Sequence, residues 1–395
     1  MTYLLQRTDE PGGTDASGAA RHGHRQRRSG FRARLTDHVA LAVGTTQGLF
    51  MVSDGMPDGP FFKGSHVPAF LQLGNRYYVA TIDPLVGPTL RTSDDGGESW
   101  SDLGATPIGL PADFGEQLVQ ICQLQADYSA PAAASDVPGV FAGVEPAALF
   151  RSSDGIRFEL VRGLWDHPDR PRWKAGGGGL VLHTVLTHRD RRGRITVAIA
   201  NGGIYRSDDD GDTWHPRISG MAEPRGHEGS QARLPGVHKL AFDAAGPDTL
   251  FAQTDTGIYR TENAGDSWVR VGRSGEAGGV ASDFGFPVVG HPVEPGTAFV
   301  FPLESEEYPC SPGGRPRVYR TTDGGARWGA LGTGLPHQNA HVTVLGDAFT
   351  VGDGAPYPLA FGTKAGELFA SLDQGDNWRL IASELPPVLC VRVLE

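Results

Sequence analysis

Cysteine is scarce in this chain: Cys122, Cys310 and Cys390 are the three in 395 residues, far apart and with no C-x-x-C pair among them. That argues against a disulfide framework or a cysteine zinc site and for a reducing, cytoplasmic compartment. No run of eighteen apolar residues occurs, so no membrane partner is expected. Apolar residues at helical spacing are missing beyond the first few dozen positions. Glycine (56) and proline (29), by contrast, are plentiful. Many short strands joined by turns follow, and the class is all-β.

Positive charge is also in short supply. The formal charge is -11, yet residues 1–36 hold seven arginines against three acids, a surplus of four, so the remainder carries -15. Nucleic acid is therefore not an expected partner of the folded part. The leading segment, residues 1–36, is rich in Gly, Ser and Arg and reads as a disordered basic tail. Its Arg27-Arg28 pair has the look of an export signal, but no apolar stretch of signal-peptide length follows.

What the chain does have is a repeat. RSDDDGDTW, residues 206–214, carries the pattern Ser-x-Asp-x-Gly-x-Thr-Trp at Ser207, Asp209, Gly211, Thr213 and Trp214. TSDDGGESW (92–100), TENAGDSW (261–268), TTDGGARW (321–328) and SLDQGDNW (371–378) repeat it, and RSSDGIRF (151–158) and MVSDGMPDGPF (51–61) are degenerate copies. Two short apolar runs precede each copy, as in ITVAIANGGIYRS, and a third lies before those, as in LVLHTVL. One unit is thus four antiparallel strands of a propeller blade, and seven copies predict a seven-bladed β-propeller over residues 37–395. The repeated box falls between the third and fourth strands. There a Ser hydroxyl and an Asp carboxylate bond turn amides and Gly supplies positive φ, so the box is expected to fold a turn and not to hold a ligand.

Closure can be read as well. HVALAVGTTQGLFMVS supplies the second and third strands of the first unit but no first strand, while PPVLCVRVL at the far end is a first strand with nothing after it. Residues 388–394 are expected to complete the first blade and close the ring.

In such blades the starts of the first strands and the corners between second and third strands meet on one face, opposite the boxes. His183 and His238 occupy equal offsets on first strands, ahead of His188 and Asp243, and His66 and His341 also begin first-strand segments. The corner positions are Asp83, Glu145, Asn201, Gln253 and Glu304. Two imidazoles ringed by carboxylates suit one divalent metal ion, because His offers a neutral nitrogen and the acids offer charge, or else a general acid-base pair. The expected metal ligands are His183 and His238. Glu145 and Glu304 are the expected proton carriers, and Asn201, Gln253 and Asp83 the substrate-binding groups. Long segments on that face, residues 161–179, 215–236 and 304–317, add to its claim as the functional face. HRD (188–190) and DFG (283–285) are kinase words, but they lie inside a β-repeat with no Gly-rich nucleotide loop.

The boxes resemble bacterial neuraminidase repeats, or Asp boxes, which sialidases, sortilin-type receptors, photosystem II assembly-factor propellers and cellulose- or xyloglucan-acting propellers share. EPAALFRSSDG (145–155), WDHPDRPRWKAGGGGLVLHT (165–184), GVHK (236–239), SDFGFP (282–287) and PLE (302–304) resemble, more narrowly, a bacterial family of single propellers described as glycosyl hydrolase or exo-α-sialidase-like. The resemblance implies a carbohydrate-like or other small-molecule ligand, and within its segments Asp283 joins the catalytic candidates and Lys239 the binding ones. No Arg-Ile-Pro motif of the sialidases is present, although Arg172, Arg225, Arg233 and Arg315 lie in segments of the same face. Three readings stand: a hydrolase or lyase with a His-carboxylate centre, a noncatalytic binding or assembly propeller, and a sialidase or other metal-free glycosidase. Subunit number is left open.

Overall fold

The computed structural model describes residues 39–102, 108–129, 138–222 and 234–395. The expected basic tail of residues 1–36 lies outside them. The described chain forms seven four-stranded antiparallel sheets, the predicted seven-bladed propeller. The innermost strands are Val388–Val393, His66–Leu73, Gln120–Asp127, Leu182–Thr187, Val237–Asp243, Gly285–Gly290 and Phe349–Val351, blades one to seven in that order. Each touches the next, and the last touches the first, so the sheets form a ring.

Burial explains the sequence pattern of each strand. The second strands are buried at their centres, and Ile195–Ile199 and Ala298–Pro302 along their whole length, because neighbouring blades cover both faces. They are therefore continuous apolar runs without the alternation of a half-exposed strand. Each fully covered ring on them, such as Phe251 or Phe299, contributes about 1.5–3 kcal/mol. The outermost strand of blade four, His215–Pro216, is two residues long and exposed, which leaves little edge for unwanted pairing.

The repeated boxes fold turns, by one hydrogen-bond scheme. In RSDDDGDTW the buried Ser207 Oγ accepts from Gly211 N at 2.8 Å and donates to Asp209 Oδ1 at 2.8 Å. Asp209 in turn accepts from Thr213 N at 2.9 Å, and Trp214 Nε1 donates to Gly211 O at 2.9 Å. Bonds from the Thr213 hydroxyl and amide hold the Asp209 carboxyl down at about 2. The bond from the glycine amide to the hydroxyl recurs at Ser93, Thr261, Thr321 and Ser371.

The ring closes where predicted. Val388–Val393 pairs antiparallel with Leu41–Thr45, from Leu41 opposite Val393 to Thr45 opposite Val388, and Leu394 N donates to Ala40 O at 2.8 Å. Gly44 is required at this seam: a Cβ there would sit 2.6 Å from Cys390 Sγ and against the Val67 carbonyl of the second blade.

Candidate functional site

The second-to-third-strand corners of blades three, four and five bring a set of polar side chains into sequence on one face. Glu145 closes the second strand of blade three, and its Oε2 accepts from Gln120 Nε2 at 2.6 Å. Gly179 packs directly on that carboxylate and Gly176 on the Asn201 amide, with no room for a side chain at either glycine. This is what the run Gly176–Gly179 does: it lets backbone approach two corner side chains closely. Asn201 has a left-handed φ of 51°, which an asparagine tolerates in a tight corner. Beyond it lies Gly236, where a Cβ would stand 3.1 Å from Asn201 Oδ1 and 2.9 Å from Asp255 Oδ2.

Asp255 is the residue the sequence reading passed over. In blade five Thr254 pairs with Gly257, so the corner is Asp255-Thr256, and Gln253 lies inside the strand. Gln253 is buried there, its amide donating to Thr254 O at 3.1 Å and to Asp283 O at 3.0 Å. The Asp255 amide donates to Gly236 O at 3.0 Å, while Asp255 Oδ1 is buried with no hydrogen-bond partner among the described residues. Burial, reinforced by the charge of Glu306, pushes this carboxyl up to about 6. Aligning ANGGIYRS with TDTGIYRT puts Asp255 on Asn201 and would have found it.

The remaining expected residues are placed differently. Asp83 Oδ1 accepts from the amides of Leu85 (2.8 Å) and Val86 (3.2 Å), an Asx turn that keeps the carboxyl below its usual range. Asp283 is bonded by Ser274 N at 2.9 Å and Arg270 Nη2 at 2.7 Å; burial opposes ionisation, but these bonds outweigh it. Glu304 is exposed, with Oε2 3.9 Å from Cys310 Sγ, which in turn lies 3.8 Å from His341 Nδ1. His66 is an exposed strand start, and His188 accepts from Asp190 N at 3.1 Å. Arg172 pairs with Asp169 at 3.1 Å, whereas Arg225 and Arg233 lie outside the described residues.

Of the two channel histidines, His183 has both ring nitrogens engaged. His183 Nε2 lies 2.8 Å from the Val237 carbonyl, which can only accept, so Nε2 carries the proton and Nδ1 accepts from Thr184 Oγ1 at 2.9 Å. No lone pair is left for a metal. His238 Nδ1 donates to Gly285 O at 2.7 Å, and its ring is set edge-on between Phe284 and Phe286. Burial lowers both, to about 3 for His183 and about 4 for His238. Among the described residues no group of three or more His, Cys, Asp or Glu is arranged to hold a metal ion. Lys239 is committed as well, its Nζ donating to Asp347 Oδ1 (2.9 Å), Gln123 Oε1 (3.2 Å) and His183 O (3.4 Å).

The wall beside the site is residues 161–179, which fold into a helical turn, Arg162–Trp165, and a 3-10 turn, Arg170–Arg172. Arg170 stacks 3.7 Å above the Trp165 ring, and Trp173 Nε1 donates to Tyr205 OH at 2.9 Å. Burial takes the Arg170 guanidinium down to about 10.

No protein-family profile matches the chain. A xyloglucanase of Hypocrea jecorina (strain QM6a) is 29% identical over 185 residues, covering 45% of this chain and 19% of that protein. The match therefore spans about a fifth of the relative's length. Among solved structures, an ancestral GH74 enzyme superposes with a TM-score of 0.52 at 15% identity, covering 88% of this chain and 40% of that one. YCF48 bound to D1 peptide superposes with a TM-score of 0.49 at 13% identity, covering 88% and 85%. The likeness to the ancestral GH74 enzyme concerns the fold; the sequence likeness, over less than half of the chain, is to xyloglucanases.

Proposed function

We propose that this propeller is a metal-free glycoside hydrolase acting on a neutral oligosaccharide at the face formed by Glu145, Asn201 and Asp255. The observation that carries the reading is Asp255: a carboxyl with a buried, unpartnered oxygen and a raised pKa, on a corner open to a long-loop face. A glycosidic oxygen leaves only when protonated, so its donor must keep a proton near neutral pH, and burial is how a carboxyl does so. Asn201, on the other side of Gly236, offers an amide donor and acceptor for sugar hydroxyls. Glu306, whose charge reaches Asp255, is the carboxylate assigned to activate water or the anomeric carbon. Glu145 and Glu304 then serve as binding groups, and Asp283 and Lys239 as supports held by their own ion pairs. The likeness to xyloglucanase supports β-glucan oligosaccharides as the first substrates to try.

Reducing-end release from xyloglucan oligosaccharides tests the reading. Turnover by the native chain, lost by at least about a hundredfold in Asp255→Asn with the melting curve unchanged, is the expected result. No release at stoichiometric protein, or full activity in Asp255→Asn, overturns it. Calorimetric binding of the oligosaccharide without turnover would instead favour a noncatalytic propeller.

A further inference from the structure

The outer half of blade six holds a second pocket that the site above does not use. Its cavity of about 280 Å³ lies between Pro302, at the end of the second strand, and the segment Pro312–Val318 that leads into the third. Pro302, Pro312 and Ala281 give it apolar walls, and Arg315, Arg317 and Tyr319 line it with donors.

The arginines are what single it out. In an acidic chain, several half-buried arginines have carboxylate partners: Arg151 with Asp127 at 2.7 Å, Arg270 with Asp283 at 2.7 Å, Arg320 with Asp376 at 3.1 Å and Arg392 with Asp347 at 2.6 Å. Arg315 and Arg317 have none among the described residues. Arg317 Nη1 donates to the carbonyls of Pro316 (2.7 Å) and Pro336 (3.3 Å), and its stem packs on Gly332, which leaves no room for another side chain. The guanidinium is thus fixed in place but its charge is uncompensated. Arg315, two residues earlier, is exposed at the same pocket.

Tyr319 completes the donor set. Its phenol lines the same pocket as the two arginines. Burial keeps that hydroxyl protonated. Two guanidiniums without a carboxylate partner and one phenol, lining a pocket with prolines and alanine, match an anionic group attached to a compact apolar or sugar-ring body.

We propose that this pocket is a binding site for a ring-sized anionic ligand, its carboxylate or phosphate held by Arg315 and Arg317 and hydrogen-bonded by Tyr319. The cavity is at the lower end of ligand-site volumes, so it takes one ring and not an extended chain. The site is independent of Asp255 and of the reading given for it.

Isothermal titration with D-glucuronate, glucose 6-phosphate and D-glucose tests this. At least one anion is expected to bind, D-glucose not to, and added salt to weaken the binding. Binding of glucuronate alone identifies a carboxylate ligand, and of glucose 6-phosphate alone a phosphate ligand. Arg315→Gln, at an exposed position that folding does not need, should weaken binding by at least about tenfold, and Tyr319→Phe more modestly. The proposal fails if neither anion binds at up to about 10 mM. It fails equally if D-glucose binds as well as they do, or if Arg315→Gln and Arg317→Gln both bind normally with unchanged melting curves.

Discussion

Lys239 and Asp347 meet inside the channel, Nζ 2.9 Å from Oδ1, although one stands on the innermost strand of blade five and the other precedes that of blade seven. Arg392, on the strand that closes blade one, donates to the same Oδ1 at 2.6 Å. One carboxylate therefore ties together three blades. Removing it leaves two half-buried cations without their counterion, and Asp347→Ala should lower stability by about 2–3 kcal/mol in chemical denaturation. A loss below about 1 kcal/mol would mean water already solvates the cluster.

Acid should act through the channel histidines. Both have folded-state pKa values, about 3 and about 4, well below the usual 6.5. Below pH 6.5 the unfolded chain takes up protons that the folded chain refuses, so stability falls with pH from about 6.5 to 4. Melting temperatures measured across that window should drop, and His183→Gln should flatten the drop. An unchanged slope in that variant would show that His183 is not the titrating group.

Asp255 has the opposite sign. Its folded pKa is raised to about 6, so the stability it contributes is present at low pH and is lost as pH rises through 6. As proton donor it must be protonated, and glycosidase rate should decline on the same alkaline side. A rate that rises through pH 6 to 7 would exclude that role.

The box turns should matter to folding and not to ligands. Ser207→Ala leaves the Gly211 amide without its buried acceptor, at about 1–3 kcal/mol. Oligosaccharide binding, measured by calorimetry, should be unchanged, because the turn and the Asp255 corner lie at opposite ends of their blades.

At the seam, Gly44→Val should prevent folding outright, since even a Cβ meets Cys390 Sγ and the Val67 carbonyl. Circular dichroism of that variant, and of a chain cut after residue 387, should show no cooperative transition. A native-like melt in either would refute closure by the last strand.

The architecture was legible because each blade repeats both a turn chemistry and a strand pattern; Ser207, Thr261 and Ser371 make the same bond to a glycine four residues on. The site was less so. Gln253 and Asp255 differ by two residues, hence share a sheet face, and period-two reasoning cannot say which one ends the strand; the Thr254–Gly257 pairing decides. His183 was rightly seen as a channel residue, but its ligand capacity depended on Val237 O, a backbone atom of the next blade that no side-chain pattern reveals. The unpaired state of Arg317 is likewise invisible in sequence, being a property of what does not approach it.

The pairing of Leu41–Thr45 with Val388–Val393 also sets a schedule for synthesis. The first blade's second strand emerges from the ribosome some 340 residues before its partner, and at 5–20 residues per second that is roughly 20 to 70 seconds. For that interval Leu41, Ala42 and Val43, later wholly buried, have an open edge beside them. Six blades can stack in order behind the leading one, but the nascent chain stays an open arc until its final strand is released. Synthesis rate, chaperone supply and temperature should therefore govern the yield of this protein more than its equilibrium stability does.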